Sequence, residues 1–287
     1  MHEMKRWQGQ WDKCMRSLLA FGFPMVLAGC ATVPAGPSDS EEGGHTRAAE
    51  PPVPCSWTRI AATSPTPPAR WKHLRFPGKR PNDYRFEQLD GREALRVQAS
   101  SSTSMLRKDL RIAPEQLDRL HFSWKVPALI DTADMSVGER SDSPVRIVLA
   151  FEGDRSRFSA RDAMLSELAN ALTGEPMPYA TLMYVWDNHQ AVGTVLQNKR
   201  TGRIRKLVLE SGPAHLGQWR DYTRDVRADF RHAFGEEPGA LVAVGLMTDT
   251  DNTRTTARAW YGPVRHLAKD SSDTSGMQKV QMVNAGC

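Results

Sequence analysis

Six consecutive residues, Thr248-Asp249-Thr250-Asp251-Asn252-Thr253, each end in a hydroxyl, carboxylate or amide oxygen. They follow an apolar run, Leu241 to Met247, that reads as a strand, so alternate side chains beyond it share a direction. Three oxygens converging in this way suit a hard cation such as calcium, which takes about six to eight oxygen ligands. The segment lacks the glycine and distal glutamate of an EF-hand loop, and Asp and Asn are also common turn formers. Three readings therefore stay open: a turn or hydrogen-bond network, a ligand contact, or calcium. No other cofactor is expected.

A second set of polar side chains lies on the middle strands. Arg107, Asp109 and Arg111 share one strand face, and His121, Ser123 and Lys125 share another. Arg146 and Glu152 point away from Val145 and Ile147. If these strands are neighbours they build a mixed-charge surface that grips a carboxylate, a phosphate or sugar hydroxyls; otherwise they form a solvated face of ion pairs. The Arg146 guanidinium most naturally meets a carboxylate, with Asp249 or Asp251 as candidates. Among the aromatics, Trp124 and Trp186 fall in phase with apolar neighbours and read as core. Trp219, Tyr222, Trp260 and Tyr261 do not, and exposed rings there would stack on sugars.

Several chemistries find no support. The eight histidines form no HExxH or HxH pair, there is no GxSxG elbow, and no glycine cluster cradles a phosphate. The net charge of +5 is spread among scattered acids and bases, which argues against nucleic acid.

The N-terminus carries an address. Lys5, Arg6, Lys13 and Arg16 precede the apolar run Ser17 to Leu27, which is shorter than the ~20 residues a spanning helix needs. The run ends in Leu27-Ala28-Gly29-Cys30, which resembles the bacterial lipobox. That resemblance implies cleavage of a signal peptide, residues 1–29, and acylation of Cys30, with the lipid bilayer as partner. Each buried methylene contributes about 0.8 kcal/mol, so two or three chains anchor stably. Ala31 follows Cys30 where an inner-membrane lipoprotein often carries Asp, so the expected place is the outer membrane, facing the periplasm. Once the signal and the acylated thiol are set aside, Cys55 and Cys287 remain, and whether they pair is open.

Residues 30–68, rich in Pro, Ser, Gly and Thr, read as a disordered tether, and 270–287 as a loose tail. Between them, residues 69–269 show short apolar-polar alternations at Arg92–Ala99, Leu106–Ile112, Phe122–Val126, Val145–Phe151, Leu182–Trp186, Gly193–Asn198, Ile204–Glu210, Leu241–Met247 and Ala257–Leu267. Ten or so strands predict a mostly β fold, a two-sheet antiparallel sandwich of jelly-roll type. Two helices break the rhythm. One is capped by Ser159 and stopped by Gly174, with Met164, Leu165, Leu168, Ala171 and Leu172 as its apolar face; the other runs from Asp225 to Phe234 and closes on Gly235.

The segments Phe122-Ser123-Trp124-Lys125-Val126, Asp142 to Phe151, Tyr184-Val185-Trp186-Asp187-Asn188 and Gly245 to Thr253 resemble, in order, the bacterial family known as domain of unknown function 3047. The resemblance runs from about Trp71 to Leu267 and implies an exported β-sandwich like those of carbohydrate-binding modules. Its polar positions here are Lys125, Asp142, Arg146, Asp187, Asn188, Asp249, Asp251 and Asn252, which become the candidate ligand-binding residues. The chain departs from the family in the long segment Asp154 to Pro178, which is expected to cover one face. The leading expectation is a non-catalytic, envelope-anchored module that binds a saccharide or another polar envelope component, with a glycan or an envelope protein as partner. The alternatives are a structural partner in an envelope assembly and an enzyme on envelope polysaccharide. The enzyme would use two of Asp142, Asp187, Asp249 and Asp251, about 5–9 Å apart.

Overall fold

The computed structural model describes residues 71–267 and 280–281. The signal peptide, Cys30, the tether, Cys55 and most of the tail lie outside the described residues. Two sheets pack face to face. In the first, strands β1 (Trp71–Arg75), β4 (Thr103–Ile112), β11 (Leu241–Asp249), β6 (Ser143–Phe151), β7 (Ala180–Asp187), β9 (Ile204–Ser211) and β8 (Val195–Gln197) lie side by side in that order. The second runs β14 (Val280–Gln281), β13 (Arg265–Leu267), β5 (Arg119–Lys125), β12 (Thr256–Tyr261), β3 (Arg92–Ser100) and β2 (Asp83–Leu89), and β10 (Trp219–Asp225) pairs with β5. The pairs are antiparallel except β7 with β9. β9 folds back on β8 as a hairpin and enters the sheet between β8 and β7, which forces the one parallel contact.

The core lies between the sheets. Phe122 of β5 stacks on Tyr184 of β7 across the sandwich at 5.5 Å, and on Tyr222 of β10 at 5.3 Å. Trp124 and Trp186 are fully buried, as their phase requires. The Tyr184 hydroxyl enters this core by donating to Asp229, which Arg224 also holds. Burial and the Asp229 carboxylate push the Tyr184 phenol well up, so it stays a neutral donor. Strands β6, β7 and β11 are buried along nearly their whole length, because they lie in the middle of the first sheet, and the loop between β5 and β6 packs through Met135 on part of the face that does not meet the other sheet. So buried, they read as near-continuous apolar runs.

Both helices lie where the capping residues set them. α1 (Ala160–Thr173) starts at Ser159, whose hydroxyl accepts from Asp162 N, and α2 (Val226–Phe234) starts at Asp225, which accepts from Ala228 N; Gly174 and Gly235 end them at positive φ. Phe230 of α2 meets Phe151 at 4.7 Å and closes one end of the core. α1 corrects the sequence expectation. Met164, Leu168 and Leu172 face solvent, while Asp162 and Ser166 are buried. Polar anchors turn the helix this way: Thr201 donates to Asp162, and Arg155 donates to Ser166.

Two further corrections concern the strands. Ala257–Leu267 is two strands, β12 and β13, and three polar ones, β1, β2 and β10, escape the apolar pattern. The supposed charged surface also falls apart, because β4 and β5 belong to different sheets. Arg107 pairs with Asp109 and Glu175, Arg111 with Glu152, and Lys125 with Asp90 on the far side of the sandwich.

Candidate functional site

Alternation sends Arg146, Val148 and Ala150 of β6 away from the core, toward the outer face of the first sheet. Their neighbours there follow from register: Met247, Gly245 and Ala243 on β11, then Val185, Met183 and Thr181 on β7. One end of this face carries charge and the other is apolar.

At the charged end, β6 and β11 set Arg146 against Asp249, Nη2 to Oδ2 at 3.0 Å, with both side chains less than a tenth exposed. Arg146 also donates to the Ser141 carbonyl. Lys206 of β9 reaches the same place and donates to the Ser141 hydroxyl. Burial, reinforced by Arg146, pulls the Lys206 ammonium down to about 7, against the opposing pull of Asp249, Asp187 and Asp142. Burial likewise pushes the Asp249 carboxyl up to about 7; Arg146 opposes the rise, and Asp251 and Asp142 add to it.

The other acids have structural partners. Asp142 accepts from Thr253 N at 2.7 Å and Thr253 Oγ1 at 2.6 Å, and from Asn252 N at 3.4 Å, so it holds the turn that follows β11. Asp187 Oδ1 accepts from His189 N and Gln190 N, both at 2.7 Å, and closes the turn after β7. Asp187 Oδ2 and Arg146 Nε are buried with no protein partner. Asp251 pairs with Lys79.

Of the sequence candidates, the structure brings Asp142, Arg146, Asp249, Asp251 and the Asn252 backbone together, with Asp187 beside Lys206. Two do not join them. Lys125 lies on the other sheet, and Asn188 serves the loop after β5 by donating to the carbonyls of Ile130 and Ala133. Lys206 was missed, since a lysine in an apolar strand normally reads as its solvent face.

Tyr261 is also corrected, from an exposed ring to a bolt between the sheets. It is fully buried, and its hydroxyl donates to Met247 O at 2.6 Å and accepts from Arg146 N at 3.1 Å. It fills the irregularity between Met247 and Asp249, where the β6–β11 register shifts. Tyr261→Phe leaves both backbone groups unpaired and is expected to cost about 1–3 kcal/mol, read by urea denaturation. Tyr222 is likewise turned inward, where its hydroxyl donates to Glu210. Trp219 and Trp260 do face outward. They flank Lys125 in register on the second sheet, each half-buried, and the Trp260 indole donates to Glu87 at 2.7 Å.

The apolar end of the first sheet's outer face is a cleft of about 870 Å³. Its floor includes Met105, Val148, Ala150, Met183, Ala243 and Gly245. Gly245 is required there: a Cβ would lie 2.2 Å from the Met105 sulfur, which crosses over it. One wall is Glu175 to Tyr179, from the segment that follows α1, and the rim carries Arg107, Arg111, Arg155 and Glu152. The inserted segment thus walls a cleft rather than closing a face.

No curated protein sequence matches the chain. Distant likenesses exist to solved structures. The xyloglucanase domain of NopAA, a type three effector from Sinorhizobium fredii, in complex with cellobiose, is 9% identical with a TM-score of 0.37, over 69% of this chain and 93% of that one. Endoglucanase cel12A from Rhodothermus marinus is 9% identical with a TM-score of 0.38, over 73% and 94%. The family 11 xylanase from Neocallimastix patriciarum is 8% identical with a TM-score of 0.31, over 66% and 87%. A family model, by contrast, matches residues 69–265, nearly the whole of the sandwich. The chain belongs to the family described as Protein of unknown function (DUF3047).

Proposed function

We propose that this protein is a non-catalytic binding module of the bacterial envelope, and that the cleft on the first sheet takes the apolar part of an acylated or isoprenoid envelope component. The observation that carries the reading is the cleft itself, whose volume is that of a small-molecule site and whose floor is methionine, valine, alanine and glycine. Methionine side chains adapt to flexible chains, and the rim arginines suit a polar or anionic head. Binding is favoured over hydrolysis because the two carboxylates that line the cleft are both tied to arginines, Glu152 to Arg111 and Glu175 to Arg107. The one acid whose carboxyl is pushed up toward neutrality among the described residues, Asp249, lies outside it, at the charged end of the sheet.

The test is displacement of a fluorescent fatty-acid probe, run beside a glycan array. Ala150→Trp fills the cleft from a position that points away from the core, so it should abolish probe binding and leave the melt unchanged. A second reading has its own observation, the outward Trp219–Lys125–Trp260 row, two half-buried indoles with Arg92 over the Trp219 ring, a surface suited to a saccharide. Glycan binding lost in Trp260→Ala and kept in Ala150→Trp, with no probe binding, would replace the first reading by this one.

The placement in the envelope rests on the lipobox around Cys30. Cys30→Ser is expected to abolish metabolic labelling with a clickable palmitate and to release the protein from membranes. Persistent labelling would refute the anchor.

A further inference from the structure

We infer that Asp142, Asp249 and Asp251, with the hydroxyl of Thr103, form a calcium site at the charged end of the first sheet. One oxygen from each of the three carboxylates lies within 4.8 Å of the others. Oxygens sharing one calcium ion at about 2.4 Å are at most about 4.8 Å apart, whereas the shorter magnesium shell, near 2.1 Å, needs a tighter set. The donors are all oxygen, which selects a hard cation.

Acidic residues often gather without binding anything, and Thr103 supplies the separate observation. It is 4% exposed, and its Oγ1 has no hydrogen-bond partner in the protein. It stands directly opposite Asp249 in the β4–β11 ladder, so its side chain leaves the same face beside that carboxylate. A buried hydroxyl without a partner costs free energy unless a ligand uses it.

Arg146 neutralises Asp249 and Lys79 meets Asp251, but Asp142, 1% exposed, makes no ion pair among the described residues. Its partners are Thr253 and Asn252, all neutral donors. Thr253, which alternation along the sequence would offer as a ligand, instead spends its hydroxyl on Asp142. Access runs past Asp251, which is half-buried, and past Lys79, whose ammonium sits over it on a side chain 45% exposed. An ion here ties the turn after β11 to the loop whose Ser141 meets Arg146 and Lys206. The site is separate from the cleft and stands whatever the cleft binds.

The test uses the detergent-solubilised full chain, stripped with EDTA, melted by intrinsic tryptophan fluorescence and titrated with calcium by calorimetry. Calcium at roughly a hundredfold its Kd should raise Tm by about 5–10 °C. Asp251→Asn and Thr103→Val should each weaken or abolish the shift. The second is nearly isosteric and serves if the first fails to fold. Lys79→Met removes a competing cation and should tighten calcium by up to roughly fivefold. A purely structural ion-pair network predicts instead no saturable shift with calcium, and that result overturns the site. Calcium binding unchanged in both Asp251→Asn and Thr103→Val also overturns it, and magnesium acting as strongly as calcium overturns the identity of the ion.

Discussion

Replacing Arg146 with alanine is expected to cost the fold about 3–5 kcal/mol above neutral pH, against about 1 kcal/mol or less for an exposed ion pair. The size follows from burial. With both side chains less than a tenth exposed, removing the guanidinium leaves Asp249 buried without its partner. The cost should shrink as pH falls. The Asp249 carboxyl titrates at about 7 in the folded protein, above its ordinary 3.8. Below that point it carries a proton, and a neutral acid needs no arginine. Urea denaturation should therefore show a larger loss at pH 9 than at pH 5. Arg146→Ala combined with Asp249→Ala should cost less than the sum of the two, because the second change removes the charge stranded by the first. Strict additivity, or a loss that grows toward acid, would contradict the pairing.

Lys206→Met is expected to stabilise the protein at neutral and acid pH, the reverse of what removing a salt-bridge lysine does. A folded value of about 7 against the ordinary 10.5 means that burial, aided by Arg146, disfavours the ammonium more than Asp249, Asp187 and Asp142 favour it. The difference corresponds to about 5 kcal/mol. Since the unfolded chain holds the proton up to 10.5, the penalty is full below pH 7, fades between 7 and 10.5, and is absent above. Methionine keeps the apolar stem and gives up the bond to Ser141, worth about 1 kcal/mol. The net expectation is a gain of roughly 4 kcal/mol at pH 6 that vanishes or slightly reverses near pH 11. Chemical denaturation of both proteins across that range checks it. A variant less stable at pH 6 would mean that the Lys206 ammonium is a favourable partner of the nearby acids.

The two substitutions probe one arrangement. Arg146 and Lys206 both hold Ser141, and so both brace the loop between β5 and β6 over the charged end of the sheet. Met135 from the same loop packs on Val185 and Val208. The loop's own cover of this face is what dries the charges and displaces their proton affinities.

What the amino-acid sequence determined on its own is what neighbours along the chain decide. Ser159 with Gly174, and Asp225 with Gly235, set both helices to within a residue, since caps act over one turn. Trp124 and Trp186 declare themselves as core through strand phase, and Arg146 declares itself as facing away from Val145 and Ile147. The sequence motifs also place the family. Tertiary structure decided the rest. α1 presents its apolar stripe to solvent because Thr201 and Arg155, outside the helix, fix its rotation. β1, β2 and β10 are held as strands by ladder partners rather than by an apolar pattern of their own. Asp142 and Thr253 meet across 111 residues of chain, Lys206 reaches Ser141 across 65, and Thr103 faces Asp249 only because β4 lies beside β11. The cleft exists only because β6, β7 and β11 pack side by side with small residues aligned in register. Long-range sheet order sets such contacts, and no local periodicity encodes which strand lies beside which.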